Sequence, residues 1–410
     1  MIFPRRQFLH LAAGAAALLA VSRRASSQSP ASQPLLVEGH AHITNRVYWE
    51  GIDPWKAQSV GQSYARARAA GVNVLIDNIA PYGYERYDFT VKQVGRLIET
   101  FYRVLDANHD KMDLALSAAD VRRIVASGKM AVILGIEAGF DQDGDLDILR
   151  LWHRLGVRLI QFSSHVTTSY SDAFTSVSGE SKWLGINDRG RRLVAEMNRL
   201  GIIVDITHST EEAQRQIINV SRAPVVVSHV GVQALCNNPA NFSDDLLRAL
   251  AAKGGLIGIK AKAENISQRY FDWQRTHPPT RKNGLTYNEM IQPKLSLLLS
   301  PDRDYGAYID AADSRIRELW RGAYAQTWRD DPEGEALVPT ADEWANHVQH
   351  AITIAGPANV GIGLDAGPTS LLKDFNNGSY QLLVEALRKR NAPAGVLGDN
   401  WMRIMDAAKV

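Results

Sequence analysis

Two short β-branched runs, Ile202-Ile-Val-Asp-Ile-Thr-His208 and Pro224-Val-Val-Val-Ser-His229, each end in a histidine. Ser209 to Val220 between them has the length and composition of a connecting helix. This is a β-α-β unit with an imidazole at the carboxyl end of each strand. In parallel α/β folds those ends line the active site, and neutral imidazole is the commonest protein ligand of zinc-like metals. One such histidine could simply cap its strand and bond a loop. Two at equivalent places read first as metal ligands and require further ligands from the same end of the fold.

The rest of the chain repeats the alternation. Strands are predicted at Leu36–His42, Val72–Asp77, Ala131–Glu137, Arg158–Phe162, Ile202–Thr207, Pro224–Ser228, Leu256–Lys260 and Asn359–Asp365. Helical patterns lie between them, over Ala57–Ala70, Tyr87–Asn108, Ala118–Ser127, Leu146–Leu155, Asp188–Leu200, Glu211–Val220 and Asp244–Lys253, and two more at Tyr380–Arg390 and Asn400–Ala408. Gly71, Gly156, Gly201 and Gly254 stand where left-handed C-caps belong, just before the next strand. Eight strands alternating with helices are the count of an α/β fold of the (β/α)8 TIM-barrel type. An open doubly wound sheet is the alternative, but no glycine-rich phosphate loop follows an early strand. Residues 261–339 are too long for a plain connection after the seventh strand. This insertion carries Trp273, Trp320, Trp328, His277 and a helical pattern over Tyr287–Leu299. At the active-site mouth it could serve as a lid, a specificity region or an oligomer contact, such as that of a homodimer.

The 410 residues, 45% apolar and 22% charged, suit a globular enzyme. Arg5-Arg6-Gln-Phe-Leu opens an alanine-rich run to about Ala20, followed by small residues to Ser32. Residues 1–32 therefore resemble a twin-arginine export signal and linker, with 33–410 as the barrel and a periplasmic or secreted location. The run is too short and too weakly apolar for a stable membrane span. Cleavage near Ala25 would remove four arginines and no acids, taking the formal charge from +2 to −2. A nucleic-acid partner is not expected from that balance. A lone Cys236 excludes an intramolecular disulfide and reads as a small buried residue.

Three more strand ends carry donors. His40-Ala-His42 closes the first strand, where residues two apart share a side and can converge on one ion. Gly135-Ile-Glu137-Ala-Gly139 ends the third strand with a carboxylate able to bridge two ions; a salt bridge under a loop is the alternative. Gly363-Leu-Asp365-Ala-Gly367 ends the eighth with a candidate ligand or acid-base group. His40, His42, Glu137, His208 and His229 could together hold two divalent metal ions, with zinc expected. Such ions would lower the pKa of a bound water to about 7 and so supply a hydroxide for hydrolysis of an amide-like bond.

These residues, with Glu38-Gly-His40, Asp205-Ile-Thr-His208, Ser228-His229 and Gly398-Asp-Asn400-Trp-Met-Arg403, resemble the membrane dipeptidase (renal dipeptidase) family of zinc peptidases in order along nearly the whole chain. The resemblance implies a (β/α)8 barrel, two zinc ions bridged by Glu137, His208 and His229 on the second ion, Asp365 assisting proton transfer, and a dipeptide or related small amide as substrate. Three departures are visible. His42 stands where the family has aspartate. The family's substrate-contacting histidine falls on Ser164, with His165 one place later as the candidate substrate-binding residue. Asn237-Asn-Pro-Ala-Asn241 stands where the family has an arginine pair to grip the substrate carboxylate. The alternative function is accordingly a diverged periplasmic isomerase or tautomerase, or a maturation enzyme for a peptide-derived metabolite. His109, His153, His347 and His350 read as packed or solvated residues.

Overall fold

The structure, a computed structural model, describes residues 34–56, 63–81, 87–137, 140–163, 166–174, 181–277, 305–320, 331–365, 372–373 and 380–408. The expected export signal, His165, Trp328 and the pattern over Tyr287–Leu299 lie outside the described residues. Among the described residues no helix is long and apolar enough to cross a membrane.

Nine parallel strands form one sheet: β1 Val37–Ala41, β2 Val74–Ile79, β3 Met112–Leu114, β4 Met130–Ile136, β5 Val157–Gln161, β6 Ile203–Asp205, β7 Val226–Val230, β8 Leu256–Ile259 and β9 Val360–Ile362. Eight follow one another as β1-β2-β4-β5-β6-β7-β8-β9, a nearly closed barrel of the expected (β/α)8 type. The strands β2, β4 and β7 are rich in buried β-branched residues, as a sheet covered on both faces requires. The additional β3 pairs Met112–Leu114 with Met130–Val132, at the start of β4, whereas β5 pairs with β4 only from Leu134 onward. Three residues with an aspartate in the middle show no periodicity, which is why β3 is not legible in the sequence.

The seam between β1 and β9 is made by particular side chains. The Asp365 N–H donates to the His40 carbonyl at 3.2 Å, and the Leu364 N–H donates to Glu38 Oε1 at 2.8 Å. Glu38 Oε1 also accepts from the His40 N–H at 2.9 Å, and Oε2 accepts from the Tyr380 hydroxyl. Outside the seam, the Trp401 indole N–H donates to the Ile362 carbonyl at 2.9 Å. Its ring lies so close to β1 that a Cβ on Gly39 would meet Trp401 Cζ2 at 2.2 Å. Only glycine permits that approach.

Local chemistry defines the helices. Asp145, Asn187, Thr210 and Ser243 each accept backbone N–H bonds at a helix start, as N-caps should. The four expected glycine C-cap positions have φ between 69° and 93°. Outside residues 261–339, two described α-helices were not expected. Ile43–Glu50 follows β1 directly, and Ala341–Ala355 precedes β9 behind a capping box of Thr340 and Glu343. Within 261–339 the described parts are helices Ala263–Ile266, Gln268–Thr276, Tyr305–Trp320 and Pro332–Leu337.

Candidate metal centre

All five expected ligands meet at the carboxyl end of the barrel. His40 and His229 lie within β1 and β7, while His42 and Glu137 stand one residue past β1 and β4, and His208 and Asp365 three residues past β6 and β9. The predicted strands run too far because these residues turn out of the ladder to aim their side chains. His208 and Asp365 both have positive φ, 65° and 47°, a conformation non-glycine residues rarely hold without a compensating gain.

His42 reaches its place through a turn rather than by strand alternation. Asp77, buried on β2, accepts from the Ile43 and Thr44 N–H groups at 2.9 and 3.1 Å, and from the hydroxyls of Thr44 and Tyr64. The carboxylate thus caps the helix that begins beside His42. The His42 Nδ1–H then donates to the Asn78 carbonyl at 2.6 Å, which leaves Nε2 as the ring atom that faces the centre.

The donors form two facing pairs about one carboxylate. His40 Nε2 and His42 Nε2 are 3.1 Å apart and lie 2.9 and 2.8 Å from Glu137 Oε2. His208 Nε2 and His229 Nε2 are likewise 3.1 Å apart, and His208 Nε2 lies 3.5 Å from Glu137 Oε1. Glu137 Oε2 therefore faces His40 and His42, and Oε1 faces His208. His40, Glu137 and His229 form one potential metal-ligating group, and His40, His42 and Asp365 another, with ligand atoms within 4.8 Å of one another in each. Nitrogen and carboxylate donors converging at this spacing suit a zinc-like ion. The residues present fit the metals expected of them.

Charge at the centre is unusual. Burial alone would push the Glu137 carboxyl up, but His42 and His40 hold it well below the usual carboxylate range. Burial opposes protonation of His42 too, yet Glu137 and Asp365 raise it to about 9. Burial keeps His229 well below the ordinary histidine value. Asp365, likewise disfavoured as an anion by burial, is held ionised by Lys260 and Lys262, whose Nζ atoms lie 2.9 and 2.7 Å from Oδ2. Its Oδ1 faces the ligands, 3.7 Å from His42 Nε2.

A cavity of about 270 Å³ opens beside His208 and His229, bounded by Phe174, Gln233, Phe242 and the buried Lys260. The loop Asn237–Asn241 borders it, but Asn241 works for the backbone. Its Oδ1 accepts from the Gly231 N–H, and its Nδ2 donates to the Cys236 and Asn265 carbonyls. The sequence reading missed Lys260 and Lys262 as site residues. Their spacing of two at the end of β8 repeats that of His40 and His42, which is a usable signal. Asn78 and the hydroxyls near the histidines gave no such signal.

The other expectations are simpler. Cys236 is fully buried, burial pushing its thiol up to about 11. His347 is packed, while His350 bonds Asp244 at 2.8 Å.

The chain is similar to known proteins in sequence and in fold. Dipeptidase tcpJ of Claviceps purpurea is 36% identical over 162 residues, 40% of this chain and 38% of its own length. The chain thus spans about two fifths of that relative. Among solved structures, the metallopeptidase dipeptidase AC superimposes with a TM-score of 0.67 at 18% identity, covering 91% of this chain and 98% of the other. A metallopeptidase from Rhodobacter sphaeroides, liganded with a phosphinate mimic of the dipeptide L-Ala-D-Ala, gives 0.64 at 18% identity over 91% and 99%. At such identities these likenesses establish the fold. The family model of membrane dipeptidase, peptidase family M19, matches residues 29–410, and this chain belongs to that family.

Proposed function

We propose that this protein is a dipeptidase that hydrolyses the amide bond of a dipeptide or similar small amide with two divalent metal ions, zinc in the first instance. The observation that carries this reading is Glu137, with one oxygen toward His40 and His42 and the other toward His208. His40 and His42 would hold one ion, His208 and His229 the other, with Glu137 shared. Ions bound there would supply Lewis-acid polarisation of the amide carbonyl and activation of water. Asp365 is the proton-handling residue: Oδ2 is fixed by two lysines, so Oδ1 is presented to the reacting centre in one orientation. A proton taken there from the attacking water passes to the amide nitrogen as the C–N bond breaks, and amine and carboxylate products leave.

With His42, a neutral imidazole when it binds a metal, in place of an aspartate, Glu137 is the single carboxylate among the five proposed ligands, and Lys260 adds a buried positive charge to the cavity wall. Both features favour a substrate with a free carboxylate. Residues 1–32, with Arg5-Arg6 before a weakly apolar run, support export of the folded protein to the periplasm; fractionation of cells producing the full chain tests that location.

Metal analysis and hydrolysis of L,L and L,D dipeptides on the same zinc-loaded sample test the activity. Two ions per chain and turnover abolished by Glu137→Gln are expected. One ion or none, with no dipeptide cleaved, would overturn the reading.

A further inference from the structure

We infer, resting on the dipeptidase reading, that the cavity beside His208 and His229 receives the C-terminal residue of the substrate and selects a large apolar side chain there. Phe174 and Ala240 are its specificity-determining residues. The substrate class is then dipeptides that end in a residue such as phenylalanine or leucine, and the leaving product is that amino acid.

The walls of this cavity are largely apolar: Phe174, Val230, Pro239, Ala240, Phe242 and Leu246 all border it. Much of the polar capacity around it is already engaged by the protein. Asn241 bonds the backbone, and Asn265 Nδ2 donates to Asn241 Oδ1 at 2.9 Å. Gln214 Nε2 donates to the Ile206 carbonyl at 3.3 Å, the Ser209 and Ser163 hydroxyls bond each other at 2.8 Å, and Glu211 Oε1 accepts from Arg215 at 2.6 and 3.0 Å. Lys260 Nζ meets Asp365 Oδ2 and keeps further donors for a ligand, and the Gln233 amide has no partner among the described residues. An apolar wall with a few free polar groups is the usual make-up of a small-molecule site.

Lys260 decides which end of a dipeptide enters. The proton that Asp365 passes on goes to the amide nitrogen, which belongs to the C-terminal residue, and that residue's carboxylate carbon is two bonds farther along. One side chain joins Asp365 to the cavity: Lys260 Nζ lies 2.9 Å from Asp365 Oδ2, and Lys260 is the single lysine or arginine among the residues that border the cavity. Ammonium donors there draw the free carboxylate. The C-terminal residue therefore lies on the cavity side of the scissile bond, and its side chain enters the apolar space.

That space is large and preformed. An apolar cavity of about 150 Å³ already takes a benzene ring, so about 270 Å³ admits an aromatic side chain. The Phe174 N–H donates to the His208 carbonyl at 2.7 Å, which fixes the residue at the cavity edge, yet Phe174 is 41% exposed. A large apolar residue left open beside a site is the surface that an apolar ligand covers. On the Ala240 side, Asn238 Oδ1 accepts from the Ala240 N–H at 2.9 Å while Asn238 Nδ2 donates to the Glu264 carbonyl at 2.9 Å, so the loop is held in place. A C-terminal glycine or alanine would leave these walls facing water.

The test is steady-state hydrolysis by the zinc-loaded full chain of the series L-Ala-X, with X glycine, alanine, leucine, phenylalanine or glutamate in L and D forms, beside the reversed series X-L-Ala. For the isomer that is cleaved, kcat/KM should be about 10-fold or more higher with phenylalanine than with glycine at the C-terminal place, a ratio within reach of an apolar pocket. The reversed series should show no such step. Ala240→Leu, which fills the cavity, should cut the phenylalanine-to-glycine ratio by about 10-fold or more, chiefly through KM, and Phe174→Ala should lower it as well. Should Ala240→Leu fail to fold, the native series and Phe174→Ala still decide the matter. Equal rates along L-Ala-X, a preference for glutamate, or a preference for bulk in the reversed series alone would overturn the cavity assignment and leave the dipeptidase reading standing. No cleavage of any member would overturn both.

Discussion

His347 offers a pH-dependent stability that can be isolated cleanly. It is 1% exposed on the helix Ala341–Ala355. Its Nδ1 accepts from the Val232 N–H at 3.0 Å, and its Nε2–H donates to the Ile266 carbonyl at 3.0 Å. One neutral tautomer thus ties the segment after β7 to the helix after β8. Burial is the main reason its pKa is lowered to about 4. A histidine depressed in the folded state contributes stability that is complete above its unfolded pKa of about 6.5 and is lost as pH falls towards the folded value. At about 1.4 kcal/mol per pH unit, the loss between about pH 7.5 and about pH 4.5 is about 2.5 kcal/mol. His347→Gln removes the titration and retains a donor and an acceptor on one side chain. It should cost about 1–2 kcal/mol at neutral pH through poorer hydrogen bonds. The assay is urea unfolding of both proteins across this pH range, taking the difference in unfolding free energy. All other groups, the metal-site histidines included, titrate in both proteins and cancel. The variant's disadvantage should therefore shrink and then reverse as pH falls. A difference that stays constant with pH would show that His347 is not held neutral by burial, and would refute the reasoning.

Gly363→Ala should destabilise the barrel by about 3 kcal/mol or more, because the new Cβ would lie 1.8 Å from the Ser228 carbonyl oxygen on the strand carrying His229; thermal unfolding reads it, and a change in Tm under 2 °C or so would contradict the packing described. Cys236, fully buried with its thiol pushed up to about 11, should resist iodoacetamide in the native protein and react in urea; mass spectrometry that found rapid native alkylation would refute that burial. Zinc should raise Tm in a concentration-dependent way and a chelator should reverse it, since the ligands converge only in the folded chain. A Tm indifferent to both would speak against metal binding at this centre.

The barrel and most of its ligands were legible in the sequence because they depend on local pattern. A run such as Val225-Val-Val-Ser-His229 declares both a buried strand and the donor at its end, and the glycine C-caps mark where each helix yields to the next strand. His40, His42, Glu137, His208, His229 and Asp365 were all recognisable as strand-end residues, and the structure brings every one of them together. Other features were invisible because they depend on partners far apart in the chain. The short β3 exists only through its pairing with β4, and the helix at Ile43 is anchored by Asp77, 34 residues away. Lys260 and Lys262 become site residues only where β8 meets Asp365. Ser228 looks like any serine before a histidine until β1 and β6 are folded against it. Local sequence periodicity thus determined the fold and the identity of the donors. How the donors face one another, and which cation holds Asp365, were decided only by tertiary structure, because hydrogen bonds and charges act through distance in space and not along the chain.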